Sequence, residues 1–123
     1  MPQHDPYPPI GIDLRVLEDL FKGDRSRVHE WLRLYLEEAP KIFAQVKDAQ
    51  GQGDEKALAR AVHELRPQAH YLGARHLLAL LVDIGERCRT TGADACGAAV
   101  EELLALGERV EADVRAVLTS AGT

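Results

Sequence analysis

Ala61-Val62-His63-Glu64-Leu65-Arg66-Pro67-Gln68-Ala69-His70-Tyr71-Leu72-Gly73-Ala74 is the stretch on which the reading of this chain turns. Wound at about 100° per residue, Leu58, Ala61, Val62, Leu65, Ala69 and Leu72 fall on one side, a stripe that belongs against a core. His63 lies opposite that stripe. Within about 60° of it on the same wheel are Lys56, Ala59, Arg60, Arg66, Pro67 and His70. The pattern places an imidazole on a solvent face, among cations and with little bulk beside it. Packing does not ask for a histidine there; access by another macromolecule does.

The rest of the chain supplies helices for that stripe to pack against. Residues 1–11 hold four prolines and no apolar period, and read as an extended tail. Asp13 is expected to cap a short helix with Leu14, Leu17, Leu20 and Phe21 on its apolar face, stopped by Gly23. Asp24 opens a long helix to about Gln50, with a stripe of Val28, Trp31, Leu32, Tyr35, Leu36, Ala39, Ile42, Phe43 and Val46. The stripe keeps its phase across Pro40, which predicts one kinked helix. Gly51 and Gly53 are expected to make the next turn, with Asp54 capping the histidine-bearing helix and Gly73 closing it. A further helix is predicted over His76 to Arg89, with Leu77, Leu80, Leu81, Ile84 and Cys88 on one side, ended by Thr90-Thr91-Gly92. A last one starts at Asp94 and carries Val100, Leu103, Leu104, Leu106, Val110, Val114, Val117 and Leu118. No alternating strand pattern occurs. The fold class expected is all-α: an antiparallel up-down four-helix bundle over residues 12–119, with a short N-terminal helix across one end.

Bulk properties narrow the function. A chain of 123 residues fits one domain, and a net charge of −5 speaks against nucleic acid as the main partner. No apolar run approaches a membrane span, and the N-terminus lacks a signal pattern, so no membrane association is expected. Cys88 and Cys96 match neither a disulfide framework nor a metal motif, and read as free thiols of a cytoplasmic protein. A metal site of helical-bundle type needs inward Glu-x-x-His pairs, but Glu30 is followed at i+3 by Arg33. His63 and His70 lie about 10 Å apart along the helix, too far to share one zinc ion. No metal ligands are assigned.

The surroundings of His63 suit phosphoryl chemistry. A nucleophilic imidazole needs an unprotonated ring nitrogen, and an unperturbed histidine is mostly neutral at pH 7. The cations at Lys56, Arg60 and Arg66 favour that neutral form and would also stabilise a phosphoryl dianion on the ring. Arg66 has the i+3 spacing that puts it beside His63. Pro67 lacks the amide that would bond the carbonyl of His63, so that carbonyl is left free and a bend is expected.

His63-Glu64-Leu65-Arg66-Pro67, followed by Leu72-Gly73 ten residues after the histidine, resembles the signature of histidine phosphotransfer domains. In that family the pattern is His-x-Leu-Lys-Gly, then small residues and a Leu-Gly. Gly23-Asp24, Pro40 and Glu86 fit the resemblance too, which spans about Ile12 to Leu118. It implies a four-helix bundle that carries a phosphoryl group on histidine between receiver-domain aspartates, without kinase activity. On this basis His63 is the phosphoacceptor, Arg66 stabilises the phosphoryl group, and Gln68 completes the catalytic set. Lys56, Ala59, Arg60, Pro67 and His70 form the docking surface. The implied partners are receiver domains of response regulators or hybrid histidine kinases. The chain itself is expected to bind no cofactor, Mg²⁺ sitting on the receiver, and to be a cytoplasmic monomer. Arg66 in place of lysine, Pro67 in place of glycine, and Gln68, His70 and Tyr71 in place of smaller residues depart from the pattern. Those at Pro67, His70 and Tyr71 motivate an alternative: a docking module that binds a receiver or kinase without being phosphorylated. Met1 and the short tail are expected to belong to a stand-alone protein.

Overall fold

The computed structural model describes residues 11–120, which contain helices and no strand. The elements are α1 (Arg15–Leu20), α2 (Arg25–Gln52), α3 (Glu55–Tyr71), α4 (Arg75–Thr91), a 3₁₀ turn (Ala93–Cys96) and α5 (Gly97–Ser120). α3 packs between α2 and α4, and α5 between α4 and α2, so the four long helices close a ring around one core. Short connections make successive helices antiparallel, which is the bundle expected from the sequence. Among the described residues no helix is long and apolar enough to cross a membrane.

Each long helix starts and stops for a chemical reason. The carboxylates of Asp24 and Asp54 accept from the amides of Arg27 (3.3 Å) and Ala57 (3.1 Å), filling donors that the first turns of α2 and α3 leave open. α2 ends at Gly53 (φ +66°), where the amide of Asp54 donates to the carbonyl of Ala49 (2.9 Å). α3 ends the same way at Gly73 (φ +63°), with the amide of Ala74 donating to Ala69 (2.9 Å). Pro40 and Pro67 both lie inside continuous helices on exposed sides, where a forgone backbone bond is least damaging.

The core follows most of the stripes read from the sequence, but Leu20, expected on the apolar face of α1, is 50% exposed, and Leu14, Phe21, Leu80, Leu104, Val117 and Leu118 are only partly buried. Leu32, Val46, Leu58, Leu65, Leu72, Leu81, Ile84 and Leu103 are almost fully buried, each contributing roughly 1.5–3 kcal/mol of apolar transfer. Trp31, Leu36 and Phe43 sit at the margin, half-buried. Trp31 stacks on Tyr35 (6.0 Å between ring centroids) and meets the edge of Tyr71 (6.1 Å), tying α2 to the end of α3.

Four local expectations are corrected. Gly51 is helical, α2 running on to Gln52, so Gly53 alone makes the left-handed turn. Position 14, not 13, caps α1; the Asp13 carboxylate instead accepts from the amide and guanidinium of Arg15 (both 3.0 Å), an Asx-type turn. α4 begins at Arg75 and extends to Thr91, because the hydroxyls of Thr90 and Thr91 bond back to the carbonyls of Glu86 (3.1 Å) and Arg87 (2.9 Å). α5 begins at Gly97 and not Asp94, which lies in the preceding 3₁₀ turn; that turn buries Ala93 and Cys96 while reversing the chain.

Residues 11–13 strap the bundle. The amide of Gly11 donates to the carboxylate of Asp113 on α5 (2.9 Å), and the amide of Asp13 to the carbonyl of Leu72 (2.8 Å). The strap passes so close to Gly73 that a methyl there would lie 2.3 Å from the carbonyl oxygen of Asp13. The glycine ten residues after His63 thus meets two demands, a positive φ and a close backbone approach. Of the tail read over residues 1–11, Gly11 is instead tied to α5 by its bond to Asp113, and residues 1–10 lie outside the described residues.

Candidate functional site

The helical period of α3 turns Leu58, Leu65 and Leu72 inward and leaves His63 exposed on the far side. The imidazole opens onto a groove of about 520 Å³ between α3 and α4. α3 contributes Arg60, His63 and Arg66 to it; α4 contributes Gly85, Glu86 and Arg89. Val62 and Leu81, both buried, form its apolar floor. The groove stays open because its walls are small: Ala59 lines one side, and a methyl on Gly85 would find nothing nearer than a Val62 methyl at 4.0 Å.

Three guanidinium groups therefore share a concavity with one imidazole. Arg89 pairs with Glu86 on the same helix, both side chains well exposed. Among the described residues Glu86 is the single carboxylate lining the groove. Among the described residues no group of three or more His, Cys, Asp or Glu side chains is placed to hold a metal ion. A divalent cation at this site would take most of its oxygen ligands from a partner.

The sequence-predicted residues separate into those the fold gathers and those it does not. Arg60, His63, Arg66 and Ala59 meet in the groove. Lys56 and Pro67 are exposed on α3 outside it. His70 lines a separate concavity with Val16 and Arg75, its ring edge-on to Tyr71 (5.4 Å). Gln68 is half-buried and away from the groove, its amide oxygen enclosed without a hydrogen-bond partner among the described residues. Tyr71 packs on Trp31 and leaves His63 uncovered. Gly85 and Arg89 are the residues that sequence reasoning missed, and Glu86 was noted without a role. A signal exists: Val82, Gly85, Glu86 and Arg89 repeat at i, i+3, i+4 and i+7 beside the buried stripe of α4. The helix they face is not written in that spacing.

Behind Arg89, Cys88 and Cys96 are free and buried, their sulfurs 3.9 Å apart. Burial, and then the neighbouring Cys96, push the Cys88 thiol up to about 11. The Tyr35 hydroxyl is enclosed without a hydrogen-bond partner among the described residues, and burial followed by the charge of Glu111 raises its pKa.

The crystal structure of the HPT domain from the Hpt sensor hybrid histidine kinase from Shewanella superposes on this fold with a TM-score of 0.81. The match is 21% identical and covers 91% of this chain and 97% of that chain, so the likeness speaks for the fold alone. No relative was found among curated proteins. The family profile described as "Hpt domain" matches residues 30–116, a span that takes in α3, α4 and every side chain of the groove. An antiparallel helical bundle with an exposed histidine on its third helix, matched by that profile along most of its length, belongs to the Hpt domain family.

Proposed function

We propose that this chain carries a phosphoryl group on His63 in a two-component phosphorelay, accepting it from a receiver-domain aspartyl phosphate and passing it to a second receiver. The observation that supports the reading best is the pairing of an exposed imidazole with three arginines in one open groove of an Hpt bundle. In the forward step the unprotonated ring nitrogen attacks phosphorus. The N–P bond forms as the O–P bond to aspartate breaks, the carboxylate leaves, and the proton on the other ring nitrogen is free to pass to water. Arg60 and Arg66 face the phosphoryl oxygens throughout, so the chain's part is charge stabilisation and open access. The receiver brings its acidic groups and Mg²⁺, which neutralises phosphoryl charge during transfer. Docking through a small apolar floor with a basic rim suits short-lived complexes steered by charge.

Incubation with a phosphorylated cognate receiver tests this. Wild type should acquire acid-labile phosphate and His63→Gln none, with both equally folded by circular dichroism. Equal labelling of the two proteins refutes the reading. Retained receiver binding by His63→Ala, with no acid-labile phosphate on wild type, selects the docking module instead. The exposed positions of Pro67 and His70 on the His63 helix keep that alternative worth measuring.

A further inference from the structure

We infer that Glu86 is a built-in counter-anion that tunes how tightly the groove holds a phosphoryl group, by holding Arg89 until the dianion on His63 draws it away. The inference rests on His63 being the phosphoryl carrier. Glu86 and Arg89 lie one helical turn apart on α4, are bonded to each other, and line the same groove as His63. Their side chains are 59% and 68% exposed, and a pair so open to water exchanges partners readily. A phosphoryl group carries close to two negative charges and three acceptor oxygens, and matches a guanidinium fork better than one carboxylate does.

The charge balance gives Glu86 its purpose. Three guanidiniums against one carboxylate leave the groove with two net positive charges, equal and opposite to the incoming dianion. A carrier has to release what it accepts. Surplus positive charge beyond what the transition state needs would favour the loaded state and slow delivery, because a cation that binds the resting dianion more tightly than the transition state only deepens the well the group must leave. Glu86 removes the surplus by occupying Arg89 in the unloaded protein. Through Arg89 it acts as a positioning residue. Once the group is delivered, the Glu86–Arg89 pair re-forms and the groove resets.

Chemical loading separates this inference from receiver-dependent transfer. Phosphoramidate phosphorylates accessible imidazoles directly: its own N–P bond breaks as the bond to the ring forms, and ammonia leaves. The lifetime of phosphohistidine at position 63 is then followed by phosphorus NMR, with His63→Gln identifying the resonance. In hydrolysis water attacks phosphorus, the ring nitrogen takes up a proton, and inorganic phosphate departs. Glu86→Gln should lengthen the lifetime at least threefold and Arg89→Gln should shorten it. In the double variant the gain from Glu86→Gln should shrink, since the arginine it releases is gone. A Glu86→Gln lifetime less than threefold longer than wild type overturns the inference, as does the same gain with and without Arg89. Neither variant touches the core, and circular dichroism verifies folding. Failure of receiver-dependent labelling would overturn the proposed relay while leaving these lifetimes measurable.

Discussion

Replacing Gly73 by alanine should cost far more stability than the same change at Gly23, although both glycines have positive φ (+63° and +79°). Holding alanine in the left-handed region costs about 1 kcal/mol at either site. At Gly23 nothing lies within 4 Å of the added methyl, so that is the whole expected effect. At Gly73 the methyl would sit 2.3 Å from the Asp13 carbonyl oxygen and 2.8 Å from its Cβ, contacts that only a shift of the strap relieves. Moving the strap breaks the 2.8 Å bond from the Asp13 amide to Leu72, worth about 0.5–1.5 kcal/mol. It also uncovers part of Ile12, now 5% exposed, at a further cost of about 1 kcal/mol. The total for Gly73→Ala is roughly 2–4 kcal/mol, against about 1 kcal/mol for Gly23→Ala. Urea unfolding of both variants and wild type, followed by helical circular dichroism, measures the difference. Unfolding free energies for the two variants within about 0.5 kcal/mol of each other would refute the close approach as the reason for glycine at 73.

Gly85→Ala should stabilise α4 by roughly 0.5–1 kcal/mol, since the methyl meets nothing closer than 4.0 Å, whereas Gly85→Phe should fill the groove and slow receiver-dependent labelling of His63; an unchanged transfer rate in the phenylalanine variant would dissociate the groove from transfer. Asp54→Ala should lose about 1 kcal/mol in urea unfolding, and Asp24→Ala less, its capping bond being longer at 3.3 Å against 3.1 Å. Alkylation of Cys88 by iodoacetamide at pH 8, read by mass spectrometry, should be slow in the native protein and fast in urea, because the buried thiol stays protonated to about pH 11. Arg15 holds the Asp13 carboxyl down to about 2, so the pair's contribution is present above the unfolded value of 3.8 and is lost as pH falls from there towards 2. In acid unfolding of wild type and Asp13→Asn that loss should be small and erased by salt, the pair being largely exposed.

The bundle was legible because a period of 3.6 is a property of one helix at a time. The buried faces of α2, α3 and α5 follow directly from where their leucines and valines recur, and Pro40 does not disturb the phase. What the spacing does not carry is the relation between neighbours. Gly51 reads as a turn residue, yet stays helical because the chain reverses only where Gly53 takes a positive φ. Gln68 shares a helix with His63 but turns towards an enclosed position, while Gly85 and Arg89, more than twenty residues further on, come to face it across the groove. The half of the site on α3 could be drawn on a helical wheel. The half on α4 required knowing which helix lies alongside.

Every described residue that lines the groove falls between positions 59 and 89, within a single helical hairpin, while the faces that bind α2 and α5 lie on its other sides. The exposed rim of the groove and the core-facing stripes are thereby written in interleaved letters of one short segment, Val62 and Leu81 on the floor being shared by both. Exchanging only the outward letters between two such bundles should transfer the choice of interlocutor and leave the scaffold's melting behaviour where it was, so new signalling pairs can diverge without renegotiating the core.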